Sequence, residues 1–585
     1  MSLEDRPWQP KVVDKILSNI EQGKRKIILD APTGSGKTFI ALQVAQRVKD
    51  VSKIFIIART INELASYGRD IEKFHVPLTY KYLLGKRRGC PFYVEGDDSN
   101  KTVCKSCLAS GRKIKNAQAV QADLHLGLSA LVEKYVKQNN PVCLYQSMKE
   151  VPSNLTICTF PYILNPQIRE SKDIDLSKSL LIIDEAATLE GAVQDSIKLT
   201  EKYVRTVTEE FEAYAGSPGR PSISKYISFS DDERHDTVDA LVQFSNLVST
   251  LTSGVLDVYQ FDRENLLSQV TGFEKFIDRA FGLVEVEKQE LAEHREGSLK
   301  NMLFGVHHFL ETLHDPSYDV FIDKYGLYLK LLDPAPSLAI LNSVNTLLMM
   351  SGTMPSKDYI ETVWGIKDCE EIKVSTQYAD DYYKVFPKES KKREILDTVT
   401  SAYGDRDKNW DKYVDIIRDV FFKHTLSTLV CCPSYEFAIT LHQMLKTFIP
   451  VYCEDRSTST EMVLNILKAK RMVVLAVARG KILEGVEFLH DGHSLIDSVV
   501  IAGVPFPVPD LFYKVRADKI MNRLQIPEQN RSTFSYHVFS KLPAVMVMRQ
   551  AAGRAIRTPT DKAVIYYADK RFKDIQTFYV AIMYA

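Results

Sequence analysis

The chain lacks a long apolar run, an excess of either charge and an even set of cysteines, and each absence closes off a class. No stretch of its 585 residues approaches the ~18 apolar residues of a membrane span. The opening Met1-Ser2-Leu3-Glu4-Asp5-Arg6 has no apolar leader segment, so no membrane partner and a cytosolic location are expected. Lys and Arg total 75, and Asp and Glu total 75. A nucleic acid would therefore have to be gripped in local basic grooves, because the whole molecule offers no positive field. Nine cysteines argue against a disulfide framework. Hydrophobic residues at 45% and charged residues at 26% suit a folded globular chain, and the length suggests roughly three or four domains.

What is present centres on Ala31-Pro32-Thr33-Gly34-Ser35-Gly36-Lys37-Thr38. Lys26–Asp30 before it reads as a short buried strand, and Phe39–Ala45 after it as the first turns of a helix. That is the strand–loop–helix setting of a phosphate-binding loop. Gly34 and Gly36 permit the tight turn by which successive N–H groups, including that of Ser35, converge on a β-phosphate at the helix N-terminus. Lys37 is placed for the β/γ oxygens and Thr38 for Mg²⁺, which points to ATP. The bland alternative, a glycine-rich turn before a core helix, fits this context poorly. Upstream, Val12, Val13, Ile16, Leu17 and Ile20 make one helix face, just after Gln9. Ile54–Ala58 is the next strand and delivers Arg59 at its carboxyl end. There Arg59 is a candidate nucleic-acid phosphate contact and equally an ordinary solvated charge.

Four cysteines follow, Cys90, Cys104, Cys107 and Cys143, in the pattern C-x13-C-x2-C-x35-C. Spacing alone leaves zinc and a [4Fe–4S] cluster even, with unrelated buried thiols behind. Lys86-Arg87-Arg88 forms a basic shoulder beside them, with Lys86 and Arg88 as candidate nucleic-acid contacts. Cys158, inside a strand, reads as a core residue. Leu180–Ile183 is a buried parallel strand in pattern, and it delivers Asp184 and Glu185, the first to hold Mg²⁺ and the second to orient or deprotonate the attacking water. Between about 200 and 325 the apolar spacing turns helical, as at Leu241, Phe244, Leu247, Val248 and Leu251. Strands are expected again at Leu338-Ala339-Ile340 and at Leu347-Leu348-Met349, the latter ending in Ser351-Gly352-Thr353. A second α/β unit follows, with strands at Thr428–Cys432, Val473–Val477 and Ser498–Ala502. It closes on Gln550-Ala551-Ala552-Gly553-Arg554-Ala555-Ile556-Arg557, where helical spacing would put Gln550, Arg554 and Arg557 on one side. A solvated basic face is the alternative for that last stretch.

Together these motifs resemble a superfamily 2 DNA helicase, and the four-cysteine insertion narrows the resemblance to the XPD-like iron–sulfur helicases. Order and spacing agree over nearly the whole chain. The resemblance implies an α/β fold of two RecA-like parallel-sheet motor domains, the first interrupted by a small Fe–S insertion and a mainly helical Arch insertion. The expected division is 1–85, 146–200 and 331–385 for the first motor domain, 86–145 for the iron–sulfur domain, 201–330 for the Arch and 386–585 for the second motor domain. It shifts the cysteines toward [4Fe–4S]. It also implies that Gln9 reads the adenine edge and that Gln550, Arg554 and Arg557 serve hydrolysis from across the cleft. The expected activity is ATP-dependent 5′ to 3′ unwinding of DNA in repair of the nucleotide-excision type. Single-stranded DNA and forked duplex are the expected substrates, for a monomer with possible repair-factor partners. The short stretch after Asp569–Phe572 resembles archaeal-type members, hence an archaeal cytosol. Two departures stand out: Ala187 replaces the family's usual histidine after Asp184-Glu185-Ala186, and Ile61-Asn62-Glu63 replaces the usual residues after Arg59-Thr60. Ala187 lends some support to a second reading, a DNA-bound checkpoint or clamp ATPase with little unwinding.

Overall fold

The computed structural model describes residues 6–32, 34–93, 115–139, 141–216, 221–294, 299–486, 488–556 and 558–573. Two parallel sheets carry the architecture. The first runs through β1 (Lys26–Asp30), β2 (Lys53–Ala58), β3 (Tyr80–Tyr82), β4 (Leu155–Thr159) and β5 (Ser179–Asp184). Strands β6 (Ser196–Leu199), β7 (Tyr259–Phe261), β8 (Tyr318–Asp323) and β9 (Gly326–Leu331) form a separate antiparallel sheet. β10 (Thr346–Ser351) and β11 (Cys369–Lys373) return to the first, whose order is β11-β1-β10-β5-β2-β4-β3.

Near-continuous apolar strands are what a parallel sheet covered on both faces demands. Alternate residues serve opposite faces here. Ile27, Leu29, Ile56 and Ile182 enter one core, whereas Ile28, Phe55, Ile57 and Ile183 enter the other. The second sheet holds β12 (Lys391–Leu396), β13 (Ser427–Cys432), β14 (Val451–Cys453), β15 (Val473–Val477), β18 (Ile496–Ala502) and β19 (Ala563–Ala568), in the order β12-β19-β18-β13-β15-β14; β16 (Leu489–His490) and β17 (His493–Ser494) make a small hairpin. Cys158, Cys431 and Cys432 are fully buried strand residues, and burial pushes each thiol up.

Between β5 and β10 the chain builds its own core from helices Glu201–Ala215, Asp231–Thr252 and Glu274–His294 against β6–β9. The helical stripe at Leu241, Phe244 and Val248 is buried in that core, whereas the sheet carried no sequence expectation. The strand expected at Leu338-Ala339-Ile340 is instead a helical turn, Ala335–Leu338 continuing into a 3₁₀ segment, Ala339–Ser343. A short apolar run does not distinguish the two.

One segment crosses between the halves. The helix Leu511–Arg523 follows β18 in sequence, yet its Ala517, Ile520 and Met521 join the core on the first sheet, with Ile28, Ile183 and Trp364. Charged pairs pin it there: Arg516 to Glu190 at 2.6 Å, Lys519 to Asp319 at 2.8 Å and Arg523 to Asp333 at 2.6 Å. No helix among the described residues is long and apolar enough to cross a membrane.

Candidate functional site: an interdomain nucleotide cleft

Three adjacent strands of the first sheet end together. Asp30 of β1 lies opposite Ser351 of β10, and Met350 of β10 lies opposite Asp184 of β5. The phosphate loop, Ser351-Gly352-Thr353 and Asp184-Glu185 are thus delivered to one edge, the carboxyl ends where open α/β sheets bind ligands. The loop is shaped by Gly34 and Gly36, at φ +79° and +84°, and Gly36 caps the helix Lys37–Arg47.

Glu185 is also left-handed, at φ +48°, which is uncommon for a residue with a side chain. Its carboxylate stands 3.7 Å from the Lys37 ammonium and accepts from Ser351 Oγ at 2.8 Å. Asp184 accepts from Tyr67 Oη at 2.7 Å and from the Glu185 N–H at 2.9 Å. Burial and then the Glu185 charge raise the Asp184 carboxyl to about 6, against the opposing pull of Lys37 and Tyr67. A desolvated carboxylate beside a second one is a place that favours a divalent cation. Thr38 and Asp184 therefore fit Mg²⁺, with the fit resting on the donor set.

Across the opening stands the helix Leu542–Gly553 of the second half. Ala544, Val547, Met548, Ala551 and Ala552 face its own core, leaving Met546, Arg549, Gln550 and Gly553 to line the cleft. The cleft measures about 1550 Å³ and takes in Lys37, Thr38, Asp184, Glu185, Arg59, Arg479 and Arg554 as well. Arg549 spans it, donating to both carboxylate oxygens of Asp30 at 2.8 Å.

Two expected residues sit differently from their sequence reading. Gln9 is fully buried and does not line the cleft. Its Nε2 donates to Ser35 O at 3.1 Å and its Oε1 accepts from the Arg6 N–H at 3.1 Å, so it braces the phosphate loop from beneath. The helix of Gln550 stops at Gly553, so Arg554 lies beyond it. The Arg554 guanidinium donates to Leu483 O at 2.8 Å and to Val486 O at 3.1 Å within its own half. Arg557 lies outside the described residues.

Comparison with known proteins agrees with this geometry. A helicase C-terminal domain model matches residues 417–580, and a model for the res subunit of type III restriction enzymes matches 2–214. The ATP-dependent DNA helicase XPD of Sulfolobus acidocaldarius is 29% identical over 98% of this chain and 97% of its own. A solved XPD helicase superposes with a TM-score of 0.71 at 26% identity, over 99% of this chain and 98% of that one. The chain is an ATP-dependent DNA helicase that resembles the XPD type along nearly its whole length. A more distant relative, the ATP-dependent DNA helicase CHL1 of Vanderwaltozyma polyspora, is 22% identical over 84% of this chain and 62% of its own length.

In this helicase two of the four cysteines come together. Cys90 and Cys143 are both buried. Hydrogen bonding with the Cys143 thiol leads the causes that draw the Cys90 thiol down to about 6, helped by the backbone at Phe92 and Tyr93 and by the Lys86 charge. N–H donors and a cation around buried sulfur suit a thiolate, and this pair is half of the expected ligand set; the described residues hold no group of three or more His, Cys, Asp or Glu placed to bind a metal. Cys104 and Cys107 lie outside the described residues.

Beside that pair is a group of which sequence reasoning had singled out only Lys86. Lys149, Lys172 and Lys86 place their ammonium groups 4.3, 4.7 and 5.9 Å from the centre of the Tyr145 ring, and Lys172 also donates to Tyr145 Oη at 2.9 Å. Burial and then the Lys172 charge lower the Lys149 ammonium. Gly89 makes the approach possible, because a Cβ there would meet Tyr145 N at 2.7 Å. Three cations on one ring form a local basic site of the sort a neutral protein needs for a polyanion. The available signal was Tyr145 and Lys149 one helical turn apart, just after Cys143; Lys172 comes only from the fold.

Proposed function

We propose that the chain is a monomeric 5′ to 3′ helicase that moves along single-stranded DNA and opens a forked duplex, in repair of the nucleotide-excision type. Residues 1–85, 146–200 and 331–385 make the first motor domain and 386–585 the second, with 86–145 as the iron–sulfur domain and 201–330 as the Arch. The observation that carries the motor is the cleft in which Lys37, Glu185 and the Arg549–Gln550 helix face meet.

Lys37 holds the β/γ oxygens of ATP, and Glu185, already tied to Ser351, orients the attacking water. Thr38 and Asp184 hold Mg²⁺, which when bound neutralises charge on those phosphates. Arg554 and Arg557 come from the second domain and act when the cleft closes; for Arg554 this requires release from Leu483 and Val486. Hydrolysis removes the γ-phosphate contacts and the cleft opens, a two-state hinge that alternates grip on the strand.

The strand is gripped by Arg59, by Lys86 and Arg88, and by the Tyr145 ring with Lys149 and Lys172. Stacking contributes about 1–3 kcal/mol per base, against about 1.4 kcal/mol of duplex stacking opened per step. Cys90, Cys104, Cys107 and Cys143 would hold a [4Fe–4S] cluster, which when bound ties that insertion into one fold at the fork. Strand displacement with ATP tests the whole. A 5′-tailed duplex should separate and a 3′-tailed one should not. Hydrolysis without separation of either would leave a clamp ATPase.

A further inference from the structure

We propose that Arg549 and Asp30 form the contact that sets the second domain's cleft-lining helix on the root of the phosphate loop, making Arg549 a positioning residue for hydrolysis. This rests on the nucleotide-cleft reading above. Arg549 lies outside the Gln550–Arg557 stretch that the sequence singled out, and Asp30 lies just before the phosphate loop.

One guanidinium nitrogen, Nη2, holds both carboxylate oxygens at 2.8 Å. The side chains are 17% and 7% exposed, so the contact is largely out of water. Asp30 is the last residue of β1 and lies in register with Ser351. The same guanidinium reaches Met354 O at 3.4 Å, just past Ser351-Gly352-Thr353. One side chain therefore touches the roots of two cleft loops of the first domain. A buried ion pair is weak evidence for stability, since an apolar replacement is often neutral. Its geometry fixes orientation instead: with Nη2 on the Asp30 carboxylate and Nη1 on the Met354 carbonyl, the planar guanidinium is held at two of its nitrogens.

The helix carrying it needs such a fixing point. Its inner face is packed into the second sheet's core through Val547, Met548, Ala551 and Ala552. Its N-terminal end continues from a π-helical turn, Tyr536–Lys541; that turn, through Phe539, and the earlier helix Leu511–Arg523, through Ala517 and Ile520, are packed on the first domain. The helix thus belongs to one half by packing and is tethered to the other by its entry. π-turns recur at functional joints of this sort. Arg549 is one residue before Gln550 and four before Gly553, on the face that lines the cleft. Losing its hold on Asp30 would let that face drift over the loop, and a displacement near 1 Å costs on the order of 100-fold in rate.

A double-mutant cycle with Asp30→Asn, Arg549→Gln and the double variant tests the pairing, with kcat and KM for ATP measured separately. Each single change should lower kcat by about 10- to 100-fold while KM moves less than about threefold, since the phosphate loop keeps its own contacts. The double should be no slower than the slower single, because both remove one contact. Arg549→Lys keeps the charge but has one nitrogen, which cannot hold Asp30 and the Met354 carbonyl together; it should sit between wild type and Arg549→Gln, and it carries the test if the glutamine variant fails to fold. Multiplying losses in the double variant, or a wild-type kcat for Arg549→Lys, would overturn the positioning role. Lys37→Ala in parallel isolates the underlying reading. Surviving hydrolysis there overturns the cleft itself, whereas a dead Lys37→Ala with additive Asp30 and Arg549 effects overturns only the pair.

Discussion

Gln9→Ala separates two roles for one residue. If Gln9 braces the phosphate loop, nucleotides with different bases must suffer alike; if it reads adenine, ATP must suffer alone. The buried amide makes two hydrogen bonds, to Ser35 O and from the Arg6 N–H, both at 3.1 Å. Ser35 O keeps a second donor, Trp8 Nε1 at 3.2 Å, but the Arg6 N–H loses its partner. Two bonds at about 0.5–1.5 kcal/mol each give roughly 1–3 kcal/mol against the native loop. That converts to about a 5- to 150-fold weaker dissociation constant. Space adds to this, because a Cβ on Gly36 would fall 2.0 Å from Gln9 Nε2, so the amide is the surface on which the loop's turn is moulded. Titration calorimetry with ATP and GTP on wild type and Gln9→Ala supplies both numbers. Losses matching within about threefold support the brace. A loss of tenfold or more for ATP with GTP unchanged would refute it and restore the base-reading role.

The other predictions touch separate parts. Lys37→Ala should abolish ATP hydrolysis with single-stranded DNA binding retained, and activity above a small fraction of wild type would contradict the phosphate-loop role. Cys90→Ser should lose the metal and duplex separation while DNA-stimulated hydrolysis persists; elemental analysis of anaerobically purified wild type should find roughly four iron atoms per chain, and one zinc would count against the cluster. Tyr145→Ala should weaken single-strand binding by about 1–3 kcal/mol and leave hydrolysis without DNA at its wild-type rate, which a core defect would not do. Glu190→Gln should keep DNA-independent hydrolysis yet reduce the strand separated per ATP hydrolysed, and an unchanged ratio would remove it from the coupling route.

Legibility in the sequence followed locality. The phosphate loop, Asp184-Glu185 and Ser351 were readable because each is a strand end followed by a turn, and the apolar runs Ile27–Leu29 and Leu180–Ile183 are what two covered faces require. The fold class was readable for the same reason. Side-chain direction was not. Gln9 stands where a base reader would, but its neighbours Ser35 and Gly36 come from the loop that closes over it. Helical spacing carried Arg554 onto the face of Gln550, while the helix in fact ends at Gly553, a residue that disfavours helix by about 1 kcal/mol. The antiparallel sheet escaped notice because Ser196–Leu199 pairs with residues 327–330 across more than a hundred intervening positions. The seating of Leu511–Arg523 was hidden likewise, since only the fold sets Glu190, Asp333 and, on the separate antiparallel sheet, Asp319 opposite its Arg516, Arg523 and Lys519.

Those pairs bear on Ala187. A methyl group at that position lines the cleft and has neither charge nor hydrogen bond with which to report on the nucleotide. The segment around it has both. At one end Glu185 is held by Ser351 Oγ, so the residue proposed to orient the water is tied to the end of β10. At the other end Glu190 accepts from Arg516 at 2.6 Å, from Tyr359 Oη at 2.8 Å and from Trp364 Nε1 at 3.1 Å. A partly buried carboxylate satisfied by three donors moves only if its partners move with it, since breaking such a contact singly strands a charge away from water at a cost of about 3–5 kcal/mol. Arg516 in turn sits on the helix that feeds, through the π-turn, into the cleft-lining helix of the second domain. On the hydrolysis cycle proposed above, a shift of the Glu185 loop would have a mechanical outlet through Glu190 and Arg516 that bypasses position 187 and meets the second domain at the helix that Arg549 fastens to Asp30.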